Sequence, residues 1–172
     1  MTRTRQPAPE NNPLTRPFRR GHLDPRKQHE ILTELGQEIV GSLPDTWTEI
    51  TYTVHAIVSY REESMLVRHD DGRAERADIP IGTVLRIGEL RRGMHQEGKG
   101  TWFSMEYTVT RPGKFTTEFD YDNEPGFLFH SGDGDYVREL RQFPRDEEHI
   151  PAWLREKVRA RPGEEAEGRV TD

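Results

Sequence analysis

The 172-residue chain contains no cysteine. That absence removes disulfides, thiolate nucleophiles and cysteine-ligated zinc or iron–sulfur centres together, and it is compatible with a reducing compartment. Hydrophobic residues are scarce too, at 31% against 33% charged. Such a chain can bury one domain's core while part of its length stays outside, in tails or solvated loops. No apolar run approaches the roughly 20 residues of a membrane span. The N-terminal stretch MTRTRQPAPENNPLTRPFRR carries arginines but no apolar segment of signal-peptide length. A cytoplasmic protein with no membrane partner is expected.

Recurrent catalytic patterns are missing as well. None of the seven histidines stands in an HxH, HExxH or HxxxH arrangement, so each reads as an isolated surface or structural residue. Asp133-Gly134-Asp135 opens like a calcium loop but lacks the later ligands and the closing glutamate, and reads as a turn. Gly98-Lys99-Gly100-Thr101 lacks the upstream glycine of a P-loop and runs into a strand, where no helix N-terminus can hold a phosphate. No GxSxG nucleophile signature occurs. Neither a cofactor nor an enzymatic activity is expected.

What is present is charge, unevenly placed. The net charge is −6, yet residues 1–27 hold seven Lys/Arg against two Asp/Glu, and the remainder holds 18 against 29. The body is therefore acidic and favours basic partners over nucleic-acid phosphates. The Pro-rich basic tail lacks a groove-reading module, so direct nucleic-acid binding is not expected. The composition predicts a disordered basic arm over 1–23, a single α+β domain over 24–160 and a disordered acidic tail over 161–172.

Periodicity fills in the domain. Asp24-Pro25 is a helix start, and Ile31, Leu32, Leu35, Ile39 and Leu43 fall on one face of a helix ending near Gly41. Alternation predicts a strand over 48–60, a charged turn at Arg61-Glu62-Glu63, a strand over 65–69 and a hairpin turn at Asp71-Gly72. Over 83–95 the period changes, placing Val84, Ile87, Leu90 and Met94 on one helical face despite Gly88 and Gly93. A hairpin over 101–122 turns at Arg111-Pro112-Gly113-Lys114. Beyond it lie a loop with a buried or docking patch of Phe127, Leu128 and Phe129, a helix from near Asp135 with Val137 and Leu140, and a last helix opened by Pro151. The expected architecture is an antiparallel meander sheet packed against N-terminal, central and C-terminal helices.

The hairpin over 101–122 carries the functional expectation. Its alternation aims Phe103, Met105, Tyr107, Val109, Phe115, Phe119 and Tyr121 at the core. On the other side it gathers Trp102, Glu106, Glu118, Asp120 and Asp122, with Glu124 just beyond. These residues form the candidate partner-binding set, an aromatic ringed by charge. Three other readings remain: an ordinary solvated face, a metal-dependent hydrolase or small-ligand site using the carboxylates, and a peptide-binding adaptor using a sheet edge.

The order of these features, with Leu43-Pro44 before Trp47, the segment GTWFSMEYTVTRPGKFTTEFDYDNEP and the later FPRDEEHIPAWLREKV, resembles the YezG-like immunity proteins of bacterial toxin systems in their actinobacterial form. The resemblance spans roughly residues 25–158, and its most specific pieces are the Gly-Thr-Trp-Phe strand, the Gly113-centred turn with Phe-Asp-Tyr-Asp, and the Pro-Ala-Trp-Leu helix. It implies an α+β domain that neutralises a cognate polymorphic toxin, often a nuclease, by direct binding, with no catalytic residues to carry over. The longer basic N-terminal arm departs from that pattern.

Overall fold

The computed structural model describes residues 21–129 and 132–160. The expected arm up to residue 20, the tail from 161 and His130 lie outside the described residues.

The first helix, α1 (Pro25–Gly41), begins as its sequence dictates. Asp24 accepts the amide of Lys27 at 2.8 Å, and proline occupies the first turn. Just before it, the amide of Gly21 donates to the Arg92 carbonyl and that of Leu23 to the Gly93 carbonyl. The folded part thus starts upstream of the expected boundary at residue 24. Ile31, Leu32, Leu35 and Ile39 form the buried face of α1. Gly36 sits among them because a Cβ at that position would collide with the phenol oxygen of Tyr107. That hydroxyl donates to the Leu32 carbonyl at 2.8 Å, and burial pushes its pKa up.

The remaining elements are β1 (Trp47–Ile57), β2 (Tyr60–His69), β3 (Ala74–Arg76), α2 (Thr83–Gly93), β4 (Ser104–Thr110), β5 (Lys114–Asp120), α3 (Asp133–Gln142), a 3₁₀ turn (Glu147–His149) and α4 (Ala152–Arg159). The strands form one antiparallel sheet in the order β3-β2-β1-β4-β5. The fold is α+β. One sheet face, bearing Ile50, Tyr52, Val54, Met65, Val67, Met105, Tyr107 and Val109, packs under α1 and α2 to form the main core. A second cluster of Ile57, Phe103, Tyr136 and Leu154 joins one end of the sheet to α3 and α4.

Four sequence expectations are corrected. The β1–β2 turn is Val58-Ser59, and Arg61, Glu62 and Glu63 lie inside β2. The observed register sets Tyr52 opposite Met65 and Ile50 opposite Val67, apolar against apolar. A turn centred on Glu62 would have set Tyr52 opposite Gly72 and lost that match. In α2, Ile87 and Leu90 are buried but Val84 is exposed; Thr83 and Arg91 take the inner positions instead. Helix α3 starts at Asp133, so Asp133-Gly134-Asp135 is its first turn; its fully buried residues are Tyr136 and Glu139, while Leu140 packs half-buried against the second cluster. Phe103, expected in the main core, belongs to the second cluster.

A buried ion pair ties the two clusters together. Arg91 of α2 donates through Nη2 and Nη1 to the two oxygens of Glu139 on α3, at 2.7 and 3.2 Å, and through Nε to the Trp102 carbonyl at 3.0 Å. Glu139 also accepts the amide of Val58 at 2.7 Å, so it fixes the β1–β2 turn as well. Removing one partner leaves a buried charge uncompensated, which costs about 3–5 kcal/mol. Glu139→Ala should therefore lower the unfolding free energy by about that amount in urea denaturation. Gly36→Ala, which would be mildly favourable on a bare helix, should cost about 1–3 kcal/mol through overpacking against Tyr107, and thermal melts will show the sign.

Candidate interaction face

The opposite face of the sheet carries no helix along most of its length among the described residues. The strand registers fix its composition row by row. One row is Leu66, Thr51, Thr108 and Thr116; the next is Ser64, Thr53, Glu106 and Glu118; the next is Glu62, His55, Ser104 and Asp120. Hydroxyls and carboxylates dominate these three rows, whereas the row of Arg68, Glu49, Thr110 and Lys114 brings two cations to the far end of the face. This open face is bounded at one end by α3, α4 and the segment that follows β5.

Of the candidate residues, Glu106 and Glu118 stand on this face, both exposed and directly opposite each other on β4 and β5. Neither has an ion-pair partner among the described residues. Like charges opposed across a strand pair destabilise it, by roughly 0.2–1 kcal/mol on the scale of such pairs.

The other candidates are engaged differently. Trp102 is corrected outright: it is fully buried in the main core, 5.5 Å from the Phe119 ring and beneath the Arg91 guanidinium. Simple alternation fails there because β4 begins only at Ser104, and the preceding bend sends Trp102 to one side of the sheet and Phe103 to the other. Asp120 closes a turn, its Oδ1 accepting the amides of Asp122 and Asn123 at 2.9 Å and its Oδ2 accepting Asn123 Nδ2 at 2.8 Å. Partial burial alone would raise the Asp120 carboxyl, but these hydrogen bonds together hold it below its ordinary value. Asp122 offers its carbonyl to Trp153 Nε1 at 2.7 Å, and Glu124 pairs with Lys157 at 3.1 Å.

Glu62, inside the stretch expected to be a turn, is the participant that sequence reasoning missed. It accepts the amide of Leu128 at 2.7 Å, the amide of Phe129 at 3.0 Å and the Tyr60 hydroxyl at 2.6 Å. Between β5 and this carboxylate, residues 121–129 cross the sheet as a strap: Pro125 is buried, and Phe127 packs edge-on against His55 and Tyr60. Glu62 and Leu128 are 66 residues apart, and no local pattern joins them.

The face shows no assembled catalytic centre among the described residues. Ser104 Oγ lies 2.9 Å from His55 Nδ1, a pair that invites comparison with a nucleophile and its base. The adjacent Glu62 directs its oxygens to Tyr60, Leu128 and Phe129 and so does not orient the imidazole. The described residues whose potential ligand atoms converge within 4.8 Å are Asp146, Glu148 and His149, at the 3₁₀ turn, and none of them belongs to the hairpin. No helix among the described residues is long and apolar enough to cross a membrane. Compared with known proteins, the chain matches no family model and no curated protein.

The Leu128 amide and then the Tyr60 hydroxyl outweigh desolvation and, with Phe129 and His55, hold the Glu62 carboxyl below its ordinary value. A carboxyl whose pKa is lower folded than unfolded stabilises above its unfolded value, and that contribution is lost as pH falls through the folded one. Protection of the Leu128 and Phe129 amides in hydrogen exchange, normalised for intrinsic rates, should hold near neutrality. It should fall below about pH 4, the ordinary carboxylate range, while the Tyr107 amide keeps its protection.

Proposed function

We propose that the chain is a cytoplasmic immunity protein that neutralises a cognate toxin domain by binding it directly, without catalysis, through the open sheet face. One observation carries this reading: Glu106 and Glu118 face each other, exposed and without cationic partners among the described residues. The arrangement disfavours the free protein and is relieved when a cation approaches both carboxylates. The acidic balance of the chain beyond its first 27 residues adds long-range attraction for a basic domain and speeds encounter at low salt. A nuclease must present a basic substrate groove, which suits this partner; other toxin chemistries with a basic surface suit it equally. The resemblance to YezG-like immunity proteins agrees with the same reading.

The metal-dependent hydrolase alternative gains nothing from the geometry. Asp120 and Glu124 are engaged elsewhere, and no third ligand joins Glu106 and Glu118 among the described residues. A tight site in calorimetric titration with Mg²⁺, Mn²⁺ or Ca²⁺ would nevertheless revive it.

Charge reversal at one position separates structure from binding. Glu118→Lys converts the repulsive pair into an attractive one, so the free protein should gain a few tenths of a kcal/mol. Its association with the cognate toxin domain should become slower and less sensitive to salt, and its affinity should drop by about tenfold or more. Unchanged affinity would remove this face from the account. Glu106→Lys combined with Glu118→Lys restores repulsion with the opposite sign and should abolish neutralisation.

A further inference from the structure

We infer that Leu128 and Phe129 are the apolar anchor of this docking face, held outward in advance by Glu62, and that their occupant is the basic partner domain proposed above, on which the inference rests. The two side chains are 80% and 71% exposed. An exposed apolar pair in a loop is ordinarily mobile, yet here both backbone amides are turned inward and fixed on one carboxylate. Phe127, packed edge-on against His55 and Tyr60, fixes the residue before them. With the amides committed to the sheet side, the following side chains are presented to solvent.

An anchor ordered before binding avoids the cost of ordering it during binding. Large apolar side chains set among polar neighbours are also the usual makeup of an interface hot spot. Trp102, the aromatic that alternation would have assigned to this role, is in the core; Phe129 occupies the position it leaves open.

The layout fits one partner. Glu62 lies on β2 and Glu118 on β5, three strand spacings and one row apart, or about 16 Å. A standard interface buries about 800 Å² on each side, enough to cover the anchor, the threonine row and both free carboxylates together. Leu66, 38% exposed on the same face of β2, lies two rows along the strand from Glu62, with Ser64 between them and Arg76 of β3 beside it. The surface thus has an apolar spot beside Glu62 and an anionic pair on β4–β5, with Arg68, Arg76 and Lys114 toward the far end of the strands. That division calls for a domain with a hydrophobic recess beside a basic patch.

The test uses the full chain and, as the candidate partner, the domain encoded by the reading frame beside this chain's own, with affinity measured by calorimetry and oligomeric state by sedimentation. Leu128→Ala combined with Phe129→Ala should preserve the melting temperature and weaken binding by about 10- to 100-fold. The loss should appear mainly in the dissociation rate, in contrast to the association-rate loss of Glu118→Lys. Glu62→Gln keeps the anchor but removes the charge that fixes it, and should weaken binding by a smaller factor while Leu128 and Phe129 lose hydrogen-exchange protection. If the wild-type chain fails to bind the domain, the functional reading and this inference fall together. If wild type binds and the Leu128/Phe129 variant binds equally well, the inference falls while the functional reading stands. A wild-type dimer that the same variant converts to monomer would assign the anchor to a second copy and overturn the partner named here.

Discussion

The Arg91–Glu139 pair is the constraint around which the two halves of the structure are arranged. A guanidinium and a carboxylate taken out of water are tolerated only when their hydrogen-bonding capacity is met. Here the guanidinium reaches both carboxylate oxygens and the Trp102 carbonyl, and the carboxylate reaches the Val58 amide. Those four groups come from α2, the approach to β4, the β1–β2 turn and α3. The pair therefore fixes where the sheet ends, where the covered face gives way to the second cluster, and how the chain passes from one to the other. Thr101 adds a hydroxyl bond to the Arg91 carbonyl, and the Phe143 ring lies 5.0 Å from the guanidinium carbon, completing a largely aromatic surround.

That arrangement decides which part of the sheet stays uncovered. Because α3 and α4 are gathered at the end held by Glu139, they cover Ile57 and Phe103 and leave the rows containing Thr51, Thr53, Glu106 and Glu118 in contact with solvent. The strap from Tyr121 to Phe129 completes the boundary, tied at one side by the Asp120 turn and at the other by Glu62. Two carboxylates that a sequence reading would count as surface charge are thereby joints of the frame. Two others, Glu106 and Glu118, have no such role.

Much of the frame is legible in the sequence because its signals are local. Asp24-Pro25 and the spacing of Ile31, Leu35 and Ile39 specify α1, and alternation specifies β4 and β5 from Ser104 to Asp120. The failures share a cause, which is that long-range partners overrule local pattern. Arg61-Glu62-Glu63 has the composition of a turn, but the match of Tyr52 with Met65 sets the register and draws those charges into a strand. Trp102 obeys the period of the strand it precedes only until the bend before Ser104. Arg91 and Glu139 are 48 residues apart and look like ordinary helix-surface charges when each is read on its own helix. The exposed Glu106–Glu118 pair was legible from alternation alone, and the apolar patch at Phe127, Leu128 and Phe129 from composition; the carboxylate of Glu62 that fixes two of its amides was not, since it lies on a distant strand.

The rows of the open face have a consequence for how such a protein can change over time. Side chains at Thr51, Thr53, Glu106, Thr108, Thr116 and Glu118 project from rigid strands, and the strands take their stability from residues on the other side. Substitutions on such a surface usually shift stability by no more than about 0.5 kcal/mol. Folding and the proposed recognition are thus written on alternate residues of the same strands, in two alphabets that scarcely interfere. A lineage can rewrite the outward letters while the inward ones stand unchanged.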